Sequence, residues 1–209
     1  MRLCLLCRYL PWQDYGPGIQ SDASFMSILD YFHSIADQSN NNSRVPNIAN
    51  TQNKQINLRV VTFNITTLDG NSRIHEIARH CKKHCIHVLC LQGTCWVITN
   101  TWKIEHYTCF HVGKKQGAAH KHAGVAILIH SSLLQDCTVH EHHVEQGRCM
   151  AVRLSSRHRD ITIISAYIPT EESKQSHDTW HAMTKFLNSL PRRTTVSYTH
   201  LTLPTIYSV

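Results

Sequence analysis

Several groups of side chains in this sequence have types and spacings that could do chemistry. His80-Cys81-Lys82-Lys83-His84-Cys85-Ile86-His87 holds the donors of a zinc site. On a helix, however, Cys81 and Cys85 share one face while His80 and His84 share another. A tetrahedral site needs its donors to converge, so this spacing favours Cys81 and Cys85 as thiols of an apolar stripe. Cys4 and Cys7 form a Cys-x-x-Cys pair with no second pair beside it. His140-Glu141-His142-His143 sets His140 and His142 on one side of a strand, either as a transition-metal pair or as a wet edge strand. Lys114, Lys115 and Lys121, with His120 and His122, surround Gly117 in a loop that either touches phosphates or is plainly solvated. Asn64 and Tyr167 close apolar runs, where the ordinary roles are a turn cap and a half-buried strand aromatic.

The elements that must position these groups follow from periodicity. Residues 58–63 form a β-branched, apolar run that reads as a strand. Leu68-Asp69-Gly70-Asn71-Ser72 is turn chemistry. From about Ser72, Ile74, Ile77, Ala78, Cys81 and Cys85 recur on one face of a helix. Residues 87–91 then read as a second strand. Strand, helix and strand in this order make a βαβ unit with a parallel pair. Further strands are expected over 106–112, 124–130, 137–144, 148–154 and 161–168, closely spaced as in antiparallel meanders. A helix is expected from Ser176 to Leu190, with Trp180, Met183, Phe186, Leu187 and Leu190 as its stripe. Upstream, residues 1–38 hold one amphipathic helix over 21–36, and residues 39–57 form an Asn/Gln-rich linker with little to bury.

Composition sets limits. The chain has 209 residues and is 42% hydrophobic, an ordinary value for a globular protein. No apolar run approaches the ~20 residues of a membrane span, and residues 1–8 lack the pattern of a secretory signal. Net charge is +7, and 17 histidines stand beside it. In the first quarter Arg2, Arg8, Arg44 and Lys54 offset Asp14, Asp22, Asp30 and Asp37, so the excess lies later. A basic domain suits a polyanion such as DNA or RNA. The nine cysteines, an odd number in mostly apolar contexts, fit reduced thiols in an intracellular setting, cytoplasmic or nuclear.

Five stretches, in order, carry a resemblance. They are Val60-Val61-Thr62-Phe63-Asn64, Val88-Leu89-Cys90-Leu91-Gln92-Gly93-Thr94, Gly124-Val125-Ala126-Ile127-Leu128-Ile129, Gly147-Arg148 with residues 150–154, and Ile163-Ile164-Ser165-Ala166-Tyr167-Ile168-Pro169. Together they resemble strand ends of the endonuclease/exonuclease/phosphatase family, most of all the endonuclease domain of non-LTR retrotransposon polyproteins. The resemblance implies a DNase I-like α/β (α+β) fold, a four-layer sandwich of two packed β-sheets flanked by helices, C-terminally incomplete over residues 58–195. It implies phosphodiester hydrolysis with Mg (or Mn), DNA as partner, and a reverse-transcriptase domain downstream. By the same resemblance Asn64 orients ligands at the metal and Tyr167 donates to the phosphate.

The sequence departs from that pattern in one decisive place. Gly93 stands where the family has its metal-binding Glu, and a glycine offers no side-chain oxygen. No Gly-Asp-x-Asn follows Pro191, and no Ser-Asp-His occurs. An inactive chain is therefore expected, with a non-catalytic nucleic-acid-binding remnant as the alternative. Exposed apolar sheet faces and poor solubility are expected with it. Residues 196–209 begin Val-Ser-Tyr-Thr-His-Leu-Thr-Leu-Pro-Thr, which resembles a translated sequencing adapter rather than a biological segment.

Overall fold

A computed structural model describes residues 58–65, 68, 71–114, 123–157, 160–168, 174–191 and 195–201. The expected N-terminal helix, the Asn/Gln-rich linker, Cys4, Cys7, Lys115 and Lys121 lie outside the described residues.

The βαβ unit is present. Strand β1 (Val60–Asn64) runs parallel to β2 (Val88–Gln92), joined through helix α1 (Asn71–Lys83). Three antiparallel partners extend this sheet: β3 (Asn100–Ile104), β4 (Tyr107–Val112) and β5 (Val125–His130), in the order β1-β2-β5-β4-β3. A short helix α2 (Ser131–Leu134) leads to the second sheet, whose order is β6-β7-β8-β9. It comprises β6 (Thr138–Glu145), β7 (Cys149–Ser155), β8 (Asp160–Tyr167) and β9 (Thr195–Leu201). Helix α3 (Lys174–Ser189) connects β8 to β9, which pair in parallel.

Alternation along the strands sorts these elements into four layers. Leu89, Leu91, Cys109, Ala126 and Leu128 face Ile74, Ile77, Ala78 and Cys81 of α1. Their alternates Val88, Cys90, Phe110, Val125, Ile127 and Ile129 meet Met150, Val152, Leu154 and Ile163 between the sheets. The outer side of the second sheet, with Cys149, Ala151, Ile164 and Ala166, is covered by Met183, Phe186 and Leu187 of α3 and by Leu190 just after it. The architecture is thus helix, sheet, sheet, helix, the α/β sandwich that the resemblance implied. Bare sheet faces are not found among the described residues. The exposed large hydrophobics there are Val97, Ile98, Val139 and Trp180, because α1 and α3 cap the two outer faces.

Three details differ from the sequence reading. The edge strand β3 was not expected: Trp102 and Ile104 turn inward between exposed Thr101 and Lys103, an alternation too short to read as a strand, and it forms because β4 offers a free edge, with Asn100 opposite His111. Trp180 is 40% exposed, and Thr179 is buried in its place, so the face of α3 is rotated from the expected stripe. Cys85 is exposed rather than part of the α1 stripe. The helix stops at Lys83 in a Schellman turn, where Ile86 N donates to Cys81 O at 2.9 Å and Cys85 N donates to Lys82 O at 3.1 Å. Cys85 takes the left-handed position at φ 52°, and Ile86 is the residue buried beyond it. Burial pushes the Cys81 thiol up to about 12, so it stays protonated as a core group.

The backbone of β9 spans the expected boundary at residue 195/196. Pairing requires backbone amides and β-prone composition, and a Thr/Val/Tyr-containing run supplies both whatever its origin. Among the described residues, no helix is long and apolar enough to cross a membrane.

Candidate functional site

The strand registers bring the five sequence stretches to one pole. Asn64 lies opposite Gln92, Gln92 opposite Val125, and Cys149 opposite Ala166. The ends of β1, β2 and β8 therefore meet the starts of β5 and β7 at the mouth of the seam between the sheets. By alternation, Asn64 shares a face with Val60, which packs between the sheets. Tyr167 shares its face with Ile163 and Ser165, and it too packs between the sheets. The structure thus puts both sequence-predicted catalytic residues at the same seam.

Gln92 clips the seam shut from beneath. It is fully buried and donates through Nε2 to Ser165 Oγ at 3.1 Å, across to the other sheet. Its Oε1 accepts from Thr62 Oγ1 at 3.2 Å, and Ser165 Oγ in turn donates to Leu91 O at 3.3 Å. Both ends of this amide are engaged, as a buried amide requires.

Arg148 is the residue that sequence reasoning noted only as part of a strand start. It is buried, with its guanidinium 5.4 Å from the Tyr167 ring centroid, and Tyr167 N donates to Arg148 O at 2.7 Å. Burial pushes the Tyr167 phenol up, Arg148 partly opposing this, so the hydroxyl stays protonated at neutral pH. Burial pulls the Arg148 pKa down, while Tyr167 and Glu145 support its charge. The signal for Arg148 was available as Gly147-Arg148 directly before a strand, but a lone arginine there has no distinguishing spacing.

The loop after β2 forms one rim. Thr94 N donates to Gly124 O at 3.1 Å, and Cys95 N donates to Ala123 O at 3.0 Å. His111 is the strut beneath. Its Nδ1 bonds Ile98 O at 2.6 Å, where a carbonyl can only accept, so Nδ1 carries the proton and Nε2 accepts from Thr94 Oγ1 at 2.8 Å. Burial pulls the His111 pKa down to about 4, which keeps this tautomer at neutral pH. Trp96 and Trp102 flank the ring at 5.5 and 6.2 Å between centroids. Gly124 sits at φ +110°, and a Cβ there would meet Thr94 Oγ1 at 2.2 Å, so the Gly-Val-Ala-Ile stretch needs its glycine for close approach.

Lys114 is half-buried on the same rim, its N donating to Trp96 O at 2.9 Å. The other histidine groups serve elsewhere. His143 Nε2 pairs with Glu141 Oε1 at 2.8 Å on the edge strand β6, and His142 packs on Phe186 with centroids 5.1 Å apart.

The donor set does not suit Mg or Mn, the cofactors that the resemblance implied. Hard divalent ions need carboxylate oxygens. Position 93 offers only backbone at φ 70°, and Gln92 is engaged in the inter-sheet clip. Among the described residues, no three His, Cys, Asp or Glu side chains are grouped to hold a metal. What the seam presents is an amide, a protonated phenol and a guanidinium, a set that binds and orients an oxyanion.

No protein-family model and no curated protein matches the chain. Solved structures do. The chain is similar to the endonuclease domain of TRAS1, a telomere-specific non-LTR retrotransposon, at 14% identity and a TM-score of 0.46, covering 68% of this chain and 57% of that one. It is similar to D. rerio TDP2 complexed with a single-strand DNA product, at 11% identity and a TM-score of 0.45, covering 68% and 59%. A third is an endonuclease/exonuclease/phosphatase family protein from Leptotrichia buccalis, at 12% identity and a TM-score of 0.45, covering 68% and 65%. The chain thus spans roughly three fifths of the length of these structures.

Proposed function

We propose that residues 58–195 are the front part of a phosphodiesterase domain of the endonuclease/exonuclease/phosphatase family, of the retroelement endonuclease type acting on DNA, and that this chain does not hydrolyse phosphodiesters. What supports this reading is the seam: by strand register Asn64 and Tyr167 close β1 and β8 at the same end of the two sheets, with Gln92 bridging the sheets beside them. The Tyr167 phenol and Arg148 supply a donor and a positive charge for a phosphate. The missing element is a carboxylate on the loop after β2, since Gly93 takes the place of the metal ligand; the one carboxylate that acts on Arg148, Glu145, comes from the end of β6 in the other sheet. In a longer reading frame, downstream motifs and a reverse transcriptase would complete the relative. Residues 196–209 are proposed as adapter-derived, and a genomic sequence encoding them continuously would sink that assignment.

The test is nicking of supercoiled plasmid by the purified chain with Mg²⁺ or Mn²⁺. No cleavage above the Tyr167→Phe control is expected, and robust metal-dependent nicking refutes the inactivity. Gly93→Glu probes the vacant ligand position. At φ 70° the new side chain should lower stability by about 1–2 kcal/mol, while Mn²⁺ should raise the Tm of the variant and leave the parent unchanged. A non-catalytic nucleic-acid-binding remnant is the second reading, favoured by the basic balance of the chain; it expects steeply salt-dependent DNA binding with no metal requirement.

A further inference from the structure

The pole opposite the seam carries a second gathering of charge. The registers place Arg59, His87, the Glu105–His106 turn and His130 at that end, and the last turn of α1 brings Lys82 and Lys83 to it. Lys82 Nζ contacts His106 Nε2. An ammonium only donates, so Nε2 accepts and the His106 ring is the neutral Nδ1–H tautomer. That ring stacks on His130, with centroids 6.2 Å apart and planes at 24°. Backbone bonds hold the arrangement: His130 N donates to His87 O at 2.9 Å, and Ser131 donates its N and its hydroxyl to His106 O at 2.8 and 2.7 Å. Lys82, Lys83, Arg59 and His106 are exposed. The nearest carboxylate, Glu105, already faces His75 at 3.6 Å and Arg79 at 3.9 Å. Asp160, at the same end of the second sheet, is held by Arg153 at 2.7 Å. Tyr107 meets His130 edge-on at 5.1 Å and donates its hydroxyl to Ile86 O, so it adds no charge.

We propose that this pole is a binding surface for the phosphate backbone of nucleic acid, contacted by Arg59, Lys82, His106 and His130, and that it tightens as the imidazoles take up protons. A phosphate beside Lys82 would accept from its ammonium in a charge-assisted hydrogen bond. Burial holds His87 and His130 below the ordinary imidazole range, Arg59 adding to the effect at His87, and His106, His87 and Lys82 adding to it at His130. A phosphate among them supplies the counter-charge that favours the protonated rings, which couples binding to proton uptake. The surface lies at the other end of the strands from Tyr167, so it stands whether or not the seam is a phosphodiesterase remnant.

The experiment is fluorescence anisotropy of the full chain with a short labelled DNA duplex, over a salt series at about pH 8 and about pH 6. Affinity should rise at the lower pH. Lys82→Gln/His106→Gln/His130→Gln should abolish that rise and flatten the log–log salt slope by about 2–3, roughly one per lost phosphate contact. Lys82→Glu alone should weaken binding about tenfold at the higher pH, with circular dichroism confirming an unchanged fold. Tyr167→Phe should leave both salt slope and pH response as they are. Identical slopes and pH responses in the parent and the triple variant overturn the proposal. Equal affinity for polyglutamate at matched charge also overturns it, because the surface would then answer to net charge and not to phosphate.

Discussion

Acidification should weaken this fold through His111. The imidazole is fully buried beneath the loop that follows Gly93, donating to Ile98 O and accepting from Thr94 Oγ1. Protonation would put a second N–H on the side that must accept from Thr94, in a fully buried place, and burial accordingly pulls the pKa from 6.5 to about 4. The unfolded chain binds this proton near the ordinary value, so between these two pH values it holds more protons than the folded chain. Stability therefore rises with pH across the interval, and is lost as pH falls from about 6.5 towards 4. Each pKa unit corresponds to about 1.4 kcal/mol, so the full interval is worth about 3 kcal/mol. Urea unfolding of the parent and of His111→Gln, at intervals across this range, measures it. The glutamine keeps a donor and an acceptor but does not titrate, and the other histidines are common to both proteins. The difference between the two curves should shrink by about 3 kcal/mol towards acid pH. Parallel curves would refute the reasoning, since His111 would then titrate alike in the folded and unfolded states.

Two further substitutions read other parts of the fold. Gly124→Ala should destabilise by about 2–3 kcal/mol in chemical denaturation, because its Cβ displaces the Thr94 hydroxyl from His111 and φ +110° suits only glycine; a neutral result would contradict the close approach. Cys85→Gly should raise stability by about 1 kcal/mol, a gain of several degrees in Tm, because the Schellman position at φ 52° strains any residue with a Cβ.

Much of the scaffold was legible in the sequence because its signals are local. The βαβ unit, the five later strands and α3 follow from apolar periodicity, and the observed bounds shift by only a residue or two. Asn64, Tyr167 and Gly93 were singled out only by the family resemblance of the strand ends that hold them. Local signals failed where a partner decided the outcome. Strand β3 carries too few apolar residues to announce itself and exists through the free edge of β4. Cys85 fits the helical stripe by spacing, yet the turn at Lys83 throws it outward and buries Ile86 instead.

What the sequence determined by itself was thus the set of elements and the layered α/β class. Only the tertiary structure decided that Gln92 reaches Ser165 across the seam, that Arg148 lies over Tyr167, that His111 props the rim, and that His106 meets Lys82 and stacks on His130 at the far pole. The residues in these contacts are separated by long stretches of chain, and their side chains carry no periodic mark. Hydrogen bonds, ring stacking and desolvation act over a few ångströms, so such groups acquire their roles only once the two sheets have packed and the strand registers are set.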